Sequence, residues 1–341
     1  MINVAIIGAG SIAKNFHLPA WNKINGIRIV GIVDKNLSKA KLLAKKYKSA
    51  KCYKKMSLLF KNEKVDAVDI CTPNSEHEKQ IIFSLNNNKH VICEKPFVLK
   101  FKAFKKIYSL AKKKKLICVC AQHQRFRQPS IEIKKIVDQK KLGLIHTAHI
   151  SAIFKRSKTV NNSYFTSKTK SGGGPLVDLG SHFIDLAWWI MGNPKPVSAF
   201  VYGSNTLARY LKKNEKNYWK KFDVEDYSYG CIRFKGNKSI TFQLSYLLNT
   251  NRDIKKIEFF GTKAGVQWPE VKLTRIKNNI TRTKLLFSTE KNLASIIELK
   301  HFIKSIKKKV IQKPTLLETG YMVKIIDASI KAMREKKEVL I

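Results

Sequence analysis

Val4-Ala5-Ile6-Ile7-Gly8-Ala9-Gly10-Ser11-Ile12-Ala13 is the stretch that decides the fold. A short apolar run breaks at a glycine turn and gives way to a helix-patterned segment, Ile12 to Ile24. The hexad reads G-x-G-x-x-A, and each small residue has a steric reason. Gly8 permits the tight turn, Gly10 lets the backbone approach a pyrophosphate, and Ala13 allows the helix to pack closely on the strand. Around Ser11 and Ile12 the helix start offers unpaired N–H groups and a positive dipole end to phosphates. A second apolar run, Ile27 to Val33, ends at Asp34. A carboxylate ~20 residues beyond the glycines is placed to hydrogen-bond the ribose hydroxyls of a dinucleotide. It would repel a 2′-phosphate, which predicts NAD over NADP. Lys35 next door, an ammonium able to swing onto such a phosphate, leaves NADP open.

Outward from this stretch, short apolar runs alternate with helix patterns over the first 120 or so residues. Further strands are predicted at 65–70, 90–93 and 116–121, and helices at 38–47, 76–86 and 101–114. Continuous rather than alternating apolar runs fit strands covered on both faces, so the fold class is an α/β doubly wound parallel sheet, a Rossmann domain over 1–122. From about Gly143 the order changes to one helical block, 176–191, then strands at 198–202, 229–234, 239–244, 257–260 and 285–287, then helices at 293–307 and 316–333. Residues 123–341 are therefore expected to form an α+β domain with a mainly antiparallel open sheet, its final helices free to pack back on the first domain. Lys155–Lys170 and Lys212–Lys221 read as long loops.

The 67 basic residues against 24 acidic give a net charge of +43. Of these, 57 are Lys and only ten are Arg, spread along the whole chain in company with 22 Asn. Bidentate phosphate and base recognition favours the planar fork of Arg, so no specific nucleic-acid partner is predicted. The lysines read as solvated faces of a compositionally drifted sequence. The six cysteines form no CxxC pair and no ligand spacing, which predicts reduced thiols and no metal site. No apolar run reaches the ~18–20 residues of a membrane helix, and no leader-like segment precedes the first strand, so no membrane partner and a cytoplasmic location are expected.

Two other segments carry chemistry. Glu94-Lys95-Pro96 follows the strand 90–93 directly, and ligands of a doubly wound sheet sit outside the carboxyl ends of its strands. Pro96 restricts the backbone of Lys95 and admits a cis bond. The second segment is Gly172-Gly173-Gly174-Pro175-Leu176-Val177-Asp178-Leu179-Gly180-Ser181-His182-Phe183-Ile184-Asp185. The glycines leave an open backbone beside which a ligand could lie, and Pro175 suits a first helical turn. Asp178, His182 and Asp185 share one helical face, and a carboxylate one turn from an imidazole can orient it as a general base. The pair Asp178 and His182 lacks a third metal ligand.

Taken together, GAGSIAKNFHLPA, Cys71-Thr72-Pro73-Asn74-Ser75-Glu76-His77, Cys93–Pro96, Gln124–Pro129 and GGGPLVDLGSHFIDLAWWIMG resemble the Gfo/Idh/MocA family, that of glucose–fructose oxidoreductase and inositol dehydrogenase. The resemblance runs from residue 2 to the last helix and strand. It implies an NAD(P)-linked interconversion of a secondary alcohol and ketone on a sugar, sugar derivative or cyclitol, with a homodimer or homotetramer assembled through the open sheet. It further implies that Lys95 lies against the reacting hydroxyl, that Asp178 and His182 are the acid–histidine pair, and that Asp185 is a substrate ligand. Thr72, Pro73, Asn74 and His77, with Glu94 and Lys95, would line the nicotinamide half of the cofactor. His182 would then take the hydroxyl proton, with Lys95 polarising the oxygen or relaying the proton. Substrate specificity is expected near Arg156, Tyr164, Tyr227 or Tyr246. The rival reading is a regulatory or scaffold protein of this fold that binds dinucleotide without turnover.

Overall fold

The computed structural model describes residues 1–47, 50–155, 164–214, 222–288 and 293–341. The chain divides into two compact units, Met1–His123 with Leu293–Gly320, and Gln124–Asn292 with Tyr321–Ile341.

The first unit is built on a parallel sheet of β1 (Ile2–Ile7), β2 (Ile27–Val33), β3 (Lys51–Tyr53), β4 (Ala67–Ile70), β5 (His90–Cys93) and β6 (Cys118–Cys120), in the order β3-β2-β1-β4-β5-β6. Every pairing is parallel. Strand order reverses between β1 and β4, so the crevice beyond their carboxyl ends is the place where such a sheet takes a ligand. Covered on both faces, β4 is buried at all its residues, which is why these strands read as unbroken apolar runs. The helix Phe101–Lys113 buries Ala103, Phe104, Ile107 and Ala111 and turns its lysines to water. Asn36 caps the helix Leu37–Ala44 by accepting from the Ser38 and Lys39 N–H groups. Two elements escape the sequence reading, the edge strand β3 and the helix Met56–Asn62. Both are short, and Lys51-Cys52-Tyr53 offers too few apolar residues to show a period.

The second unit holds β7 (Ile145–Lys155), β8 (Pro196–Ser204), β9 (Tyr227–Phe234), β10 (Lys238–Leu248), β11 (Ile254–Gly261), β12 (Gly265–Trp268), β13 (Val271–Lys277), β14 (Ile280–Phe287) and β15 (Val339–Leu340). Among the described residues they form one open sheet in the order β14-β13-β12-β11-β7-β10-β9-β8-β15. The pairing of β7 with β10 is parallel, and the others are antiparallel. The central strand β7 and the helix Gln128–Asp138 are absent from the sequence prediction. The predicted helical block appears as Pro175–Asp178 and Gly180–Ile190, joined through Leu179 in helical conformation. Leu176, Phe183, Ile184 and Leu186 from this block share a core with Phe242 and Leu244 of β10. Part of the loop at Lys155–Lys170 and most of that at Lys212–Lys221, with Arg156, lie outside the described residues; the helix Thr206–Asn214 runs into the second of these loops.

Candidate active site

The glycine loop is built as its sequence demands. Gly8 has φ +102°, and a Cβ there would stand 2.8 Å from the Cys71 carbonyl oxygen, so both backbone conformation and the neighbouring loop require glycine. A Cβ on Gly10 would meet no atom within 4 Å, leaving its backbone open to an incoming group. Helical structure begins at Ser11 and passes through a π-turn, Ala13–His17, before the short helix Leu18–Trp21. Ala13 is fully buried, whereas Ser11 and Ile12 are exposed. Asp34 closes the loop from the end of β2, accepting from the Ala9 N–H at 2.8 Å through Oδ2 and from the Asn36 N–H at 2.8 Å through Oδ1. This carboxylate is thus held facing the glycine turn by two backbone donors. The Lys35 ammonium bonds Glu76 at 3.1 Å, which places it across the same rim. An open, donor-rich glycine turn bounded by a fixed carboxylate fits a dinucleotide.

Two further loops of the first unit are tied together by one imidazole. Fully buried His77 stands with Nε2 3.0 Å from the Thr72 carbonyl and Nδ1 2.9 Å from the Pro96 carbonyl. Burial pushes its pKa below the usual value, against the pull of those carbonyls. Thr72 donates to Gln80 at 2.6 Å, Pro73 is exposed, and Asn74 is buried at the start of its helix. The Lys95–Pro96 peptide is cis. Lys95 donates its backbone N–H to Glu94 Oε2 at 3.0 Å, and its side chain is half-buried.

Beneath Glu94 lies a group of residues that the motifs do not single out. His17 Nε2–H donates to Glu94 Oε1 at 2.8 Å, and Nδ1–H donates to Asp69 Oδ2 at 2.7 Å. Trp21 adds its indole N–H to Asp69 Oδ2 at 2.7 Å. Burial works against a charge on His17, but the Asp69 carboxylate and Cys71 outweigh it and hold its pKa well above the usual value. Burial likewise pushes the Glu94 carboxyl up, while the His17 bond and charge, with Lys95 and His123, bring it down to about 2. His17, Asp69 and Cys71 offer ligand atoms within 4.8 Å of one another, but both imidazole nitrogens are already committed to carboxylates. The cluster is a hydrogen-bonded one. Its sequence signal was the single histidine inside a helix that otherwise faces a sheet.

In the second unit, Asp178 and His182 are half-buried on successive turns. The Tyr246 phenol donates to Asp178 Oδ2 at 2.9 Å. Asp185 is only 1% exposed, and Arg125 grips it in a fork, Nε to Oδ2 and Nη2 to Oδ1, both at 2.7 Å. Its oxygens are engaged by a buried guanidinium rather than turned outward, which departs from the substrate contact that the resemblance implies. Tyr227 accepts from the Gln243 amide at 3.2 Å, and Tyr164 packs edge-on against Phe165. The three glycines have a reason other than openness to a ligand. A Cβ on Gly174 would stand 2.0 Å from the Glu225 carbonyl oxygen, and one on Gly173 would stand 2.5 Å from a Val177 methyl. Gly174 admits Glu225, whose carboxylate accepts from the Gly174 and Leu176 N–H groups at 2.9 and 3.1 Å and so caps the start of this helix, while Gly172 takes a left-handed φ of +83°.

A glycine turn clamped by a strand-end acid on a sheet of order 3-2-1-4-5-6, continued by a helix-backed open sheet, defines the class of two-unit dinucleotide-linked oxidoreductases. Residues 2–122 match the oxidoreductase family with the NAD-binding Rossmann fold, and residues 131–267 match the GFO/IDH/MocA C-terminal domain. The chain belongs to the Gfo/Idh/MocA oxidoreductase family, and residues 2–122 are that family's NAD-binding Rossmann domain. It is 29% identical to the D-glucoside 3-dehydrogenase of Escherichia coli (strain K12), over 77% of this chain and 76% of that protein. It is 26% identical to the myo-inositol 2-dehydrogenase of Thermotoga maritima, over 99% of this chain and 98% of that one. Levoglucosan dehydrogenase, solved with NADH, shares the fold with a TM-score of 0.86 at 20% identity, over 99% and 98% of the two chains.

Proposed function

We propose that this protein is a dehydrogenase that interconverts a secondary alcohol and a ketone on a sugar, sugar derivative or cyclitol, with NAD preferred to NADP. The observation that carries the reading is the Glu94-Lys95-Pro96 turn. Its glutamate is fixed by a buried imidazole, and its lysine backbone is fixed by that glutamate. A lysine whose backbone is fixed in this way at the end of β5 can bring its amine repeatedly to the same reacting hydroxyl, and a protein that merely senses dinucleotide has no use for that.

NAD, when bound, supplies the two-electron acceptor. Gly8, Gly10, Ser11, Ile12 and Ala13 would hold its phosphates, Asp34 its adenosine ribose, and Thr72, Pro73, Asn74, His77 and Glu94 the other half. Lys95 would bind the reacting hydroxyl oxygen through its side-chain nitrogen. His182 would take the hydroxyl proton at a ring nitrogen, with Asp178 as its orienting carboxylate and Tyr246 holding Asp178. Asp185 would act by fixing the helix that carries His182. The two relatives named above are called dehydrogenases of a glucoside and of an inositol, which supports the substrate class. Six free cysteines support a reducing, cytoplasmic setting. Among the described residues no helix is long and apolar enough to cross a membrane. The open sheet presents Phe200, Tyr202 and Tyr229 at its surface, which supports a homodimer or homotetramer.

Absorbance at 340 nm tests the reading, with NAD or NADP and a panel of glucosides, glucose phosphates, anhydrosugars and inositols. Turnover on a panel member with kcat/KM higher for NAD is the expected result. Cofactor binding without turnover on any member would favour a regulatory role, and equal kcat/KM with both cofactors would overturn the NAD preference.

A further inference from the structure

We propose that His17 is a positioning residue for the reaction: held as an imidazolium between Asp69 and Glu94, it fixes the carboxylate that fixes Lys95. The inference rests on the reading that Lys95 acts at the reacting hydroxyl.

The geometry is a chain of single contacts within the first unit. Trp21 and His17 both donate to Asp69 Oδ2, at 2.7 Å each, and Cys71 stands 3.5 Å from Oδ1. Asp69 is fully buried in β4, with the Trp21 indole as a second donor on the same oxygen. The imidazole, 4% exposed, spans from there to Glu94 Oε1 at 2.8 Å. The other Glu94 oxygen takes the Lys95 N–H at 3.0 Å. Neutral imidazole has one N–H, so only the protonated ring donates at both ends, and two buried carboxylates require such a cation between them. Position along the chain fits this use. His17 closes the π-turn Ala13–His17, whose wider winding departs from the regular helix and sets the ring inward; such turns gather at functional sites. One helix therefore serves both ends of the site, with its start at the glycine loop and its π-turn beneath the Lys95 turn. Remove the ring, and Glu94 loses its anchor while keeping its charge. Lys95 would then sample positions away from the hydroxyl, lowering the rate of the chemical step more than the binding of either reactant.

The test combines an NMR measurement on the wild-type protein with kinetics of His17→Gln and Asp69→Asn. In protein labelled with 15N-histidine and without added cofactor, both His17 ring nitrogens are expected at protonated shifts at pH 7.5, each coupled to a ring proton. In His17→Gln, kcat is expected to fall about 10- to 100-fold, while the KM for the alcohol stays within about twofold and the Kd for NAD rises far less than kcat falls. Asp69→Asn should reproduce that split more weakly. An unprotonated His17 nitrogen at pH 7.5 would overturn the proposal, and this readout survives a variant that fails to fold. Unchanged kcat in His17→Gln, with a large loss in Lys95→Ala, would also overturn it while leaving the reading of Lys95 intact. Unchanged kcat in Lys95→Ala would instead remove the reading on which it rests.

Discussion

The phenolic hydroxyl of Tyr246, on β10, donates to Asp178 Oδ2 at 2.9 Å, so a strand of the open sheet fixes the carboxylate that the helix presents beside His182. Burial and the neighbouring Asp178 charge hold the Tyr246 pKa well above its usual value, which keeps it a donor at every working pH. A hydrogen bond to a charged group contributes about 1.5–3 kcal/mol. Tyr246→Phe is therefore expected to lower kcat/KM for the alcohol about 10-fold or more while leaving the Kd for NAD unchanged. Steady-state kinetics with calorimetric NAD titration measures both, and an unaltered kcat/KM would show that Asp178 does not need this partner.

The Arg125–Asp185 fork gives a prediction about stability rather than chemistry. Both side chains are buried, and deleting one leaves the other as an uncompensated charge, a loss of about 3–5 kcal/mol. Arg125→Ala should lower the urea midpoint strongly, whereas Arg125→Met with Asp185→Leu should recover much of the loss. A wild-type midpoint in Arg125→Ala would contradict the anchoring role assigned to Asp185.

Glu298 makes the first unit pH-sensitive. Its carboxyl accepts the Gln122 N–H at 2.5 Å in a buried site near Glu94 and Asp69. Burial, aided by those two charges and opposed by His17 and the Gln122 N–H, raises its pKa from 4.5 to about 8. The folded chain thus keeps a proton that the unfolded chain has lost. The associated stability is complete below about pH 4.5, declines as pH rises through about 8, and is constant beyond. His17, also raised, adds a decline of the same sign above about pH 6.5. Glu298→Gln keeps an acceptor for Gln122 without the titration. Its unfolding free energy should fall less than that of the wild type between pH 5 and pH 8.5, by an amount on the order of a few kcal/mol, and its Tm should fall correspondingly less. Identical pH profiles by scanning calorimetry would contradict this account.

The first unit was legible because its buried parallel strands carry unbroken apolar runs and its glycine turn obeys steric rules that leave few alternatives. The extents of β2 and β5 match the pattern residue for residue. What stayed hidden depends on contacts between residues far apart in the chain. β7 lies at the centre of its sheet, yet its sequence mixes His146, Thr147, His149 and Ser151 among apolar residues, and hydrogen bonds to Ser239 and Thr241 of β10 absorb that polarity. The glycines at 172–174 read as space for a ligand, but Gly174 makes room for Glu225, 51 residues away, and Gly173 for Val177. His17, Asp69 and Glu94 lie 52 and 77 residues apart and meet only once the sheet has ordered them. Asp185 shared a predicted face with His182, and no periodicity could have shown that Arg125 would occupy it.

Lys95 is the residue on which the proposed chemistry turns, and the most direct measurement is the turnover number of Lys95→Ala with saturating NAD and a substrate found by the 340 nm screen. The account predicts a fall in kcat of about 100-fold or more with the Kd for NAD nearly unchanged. Wild-type turnover in that variant would contradict it.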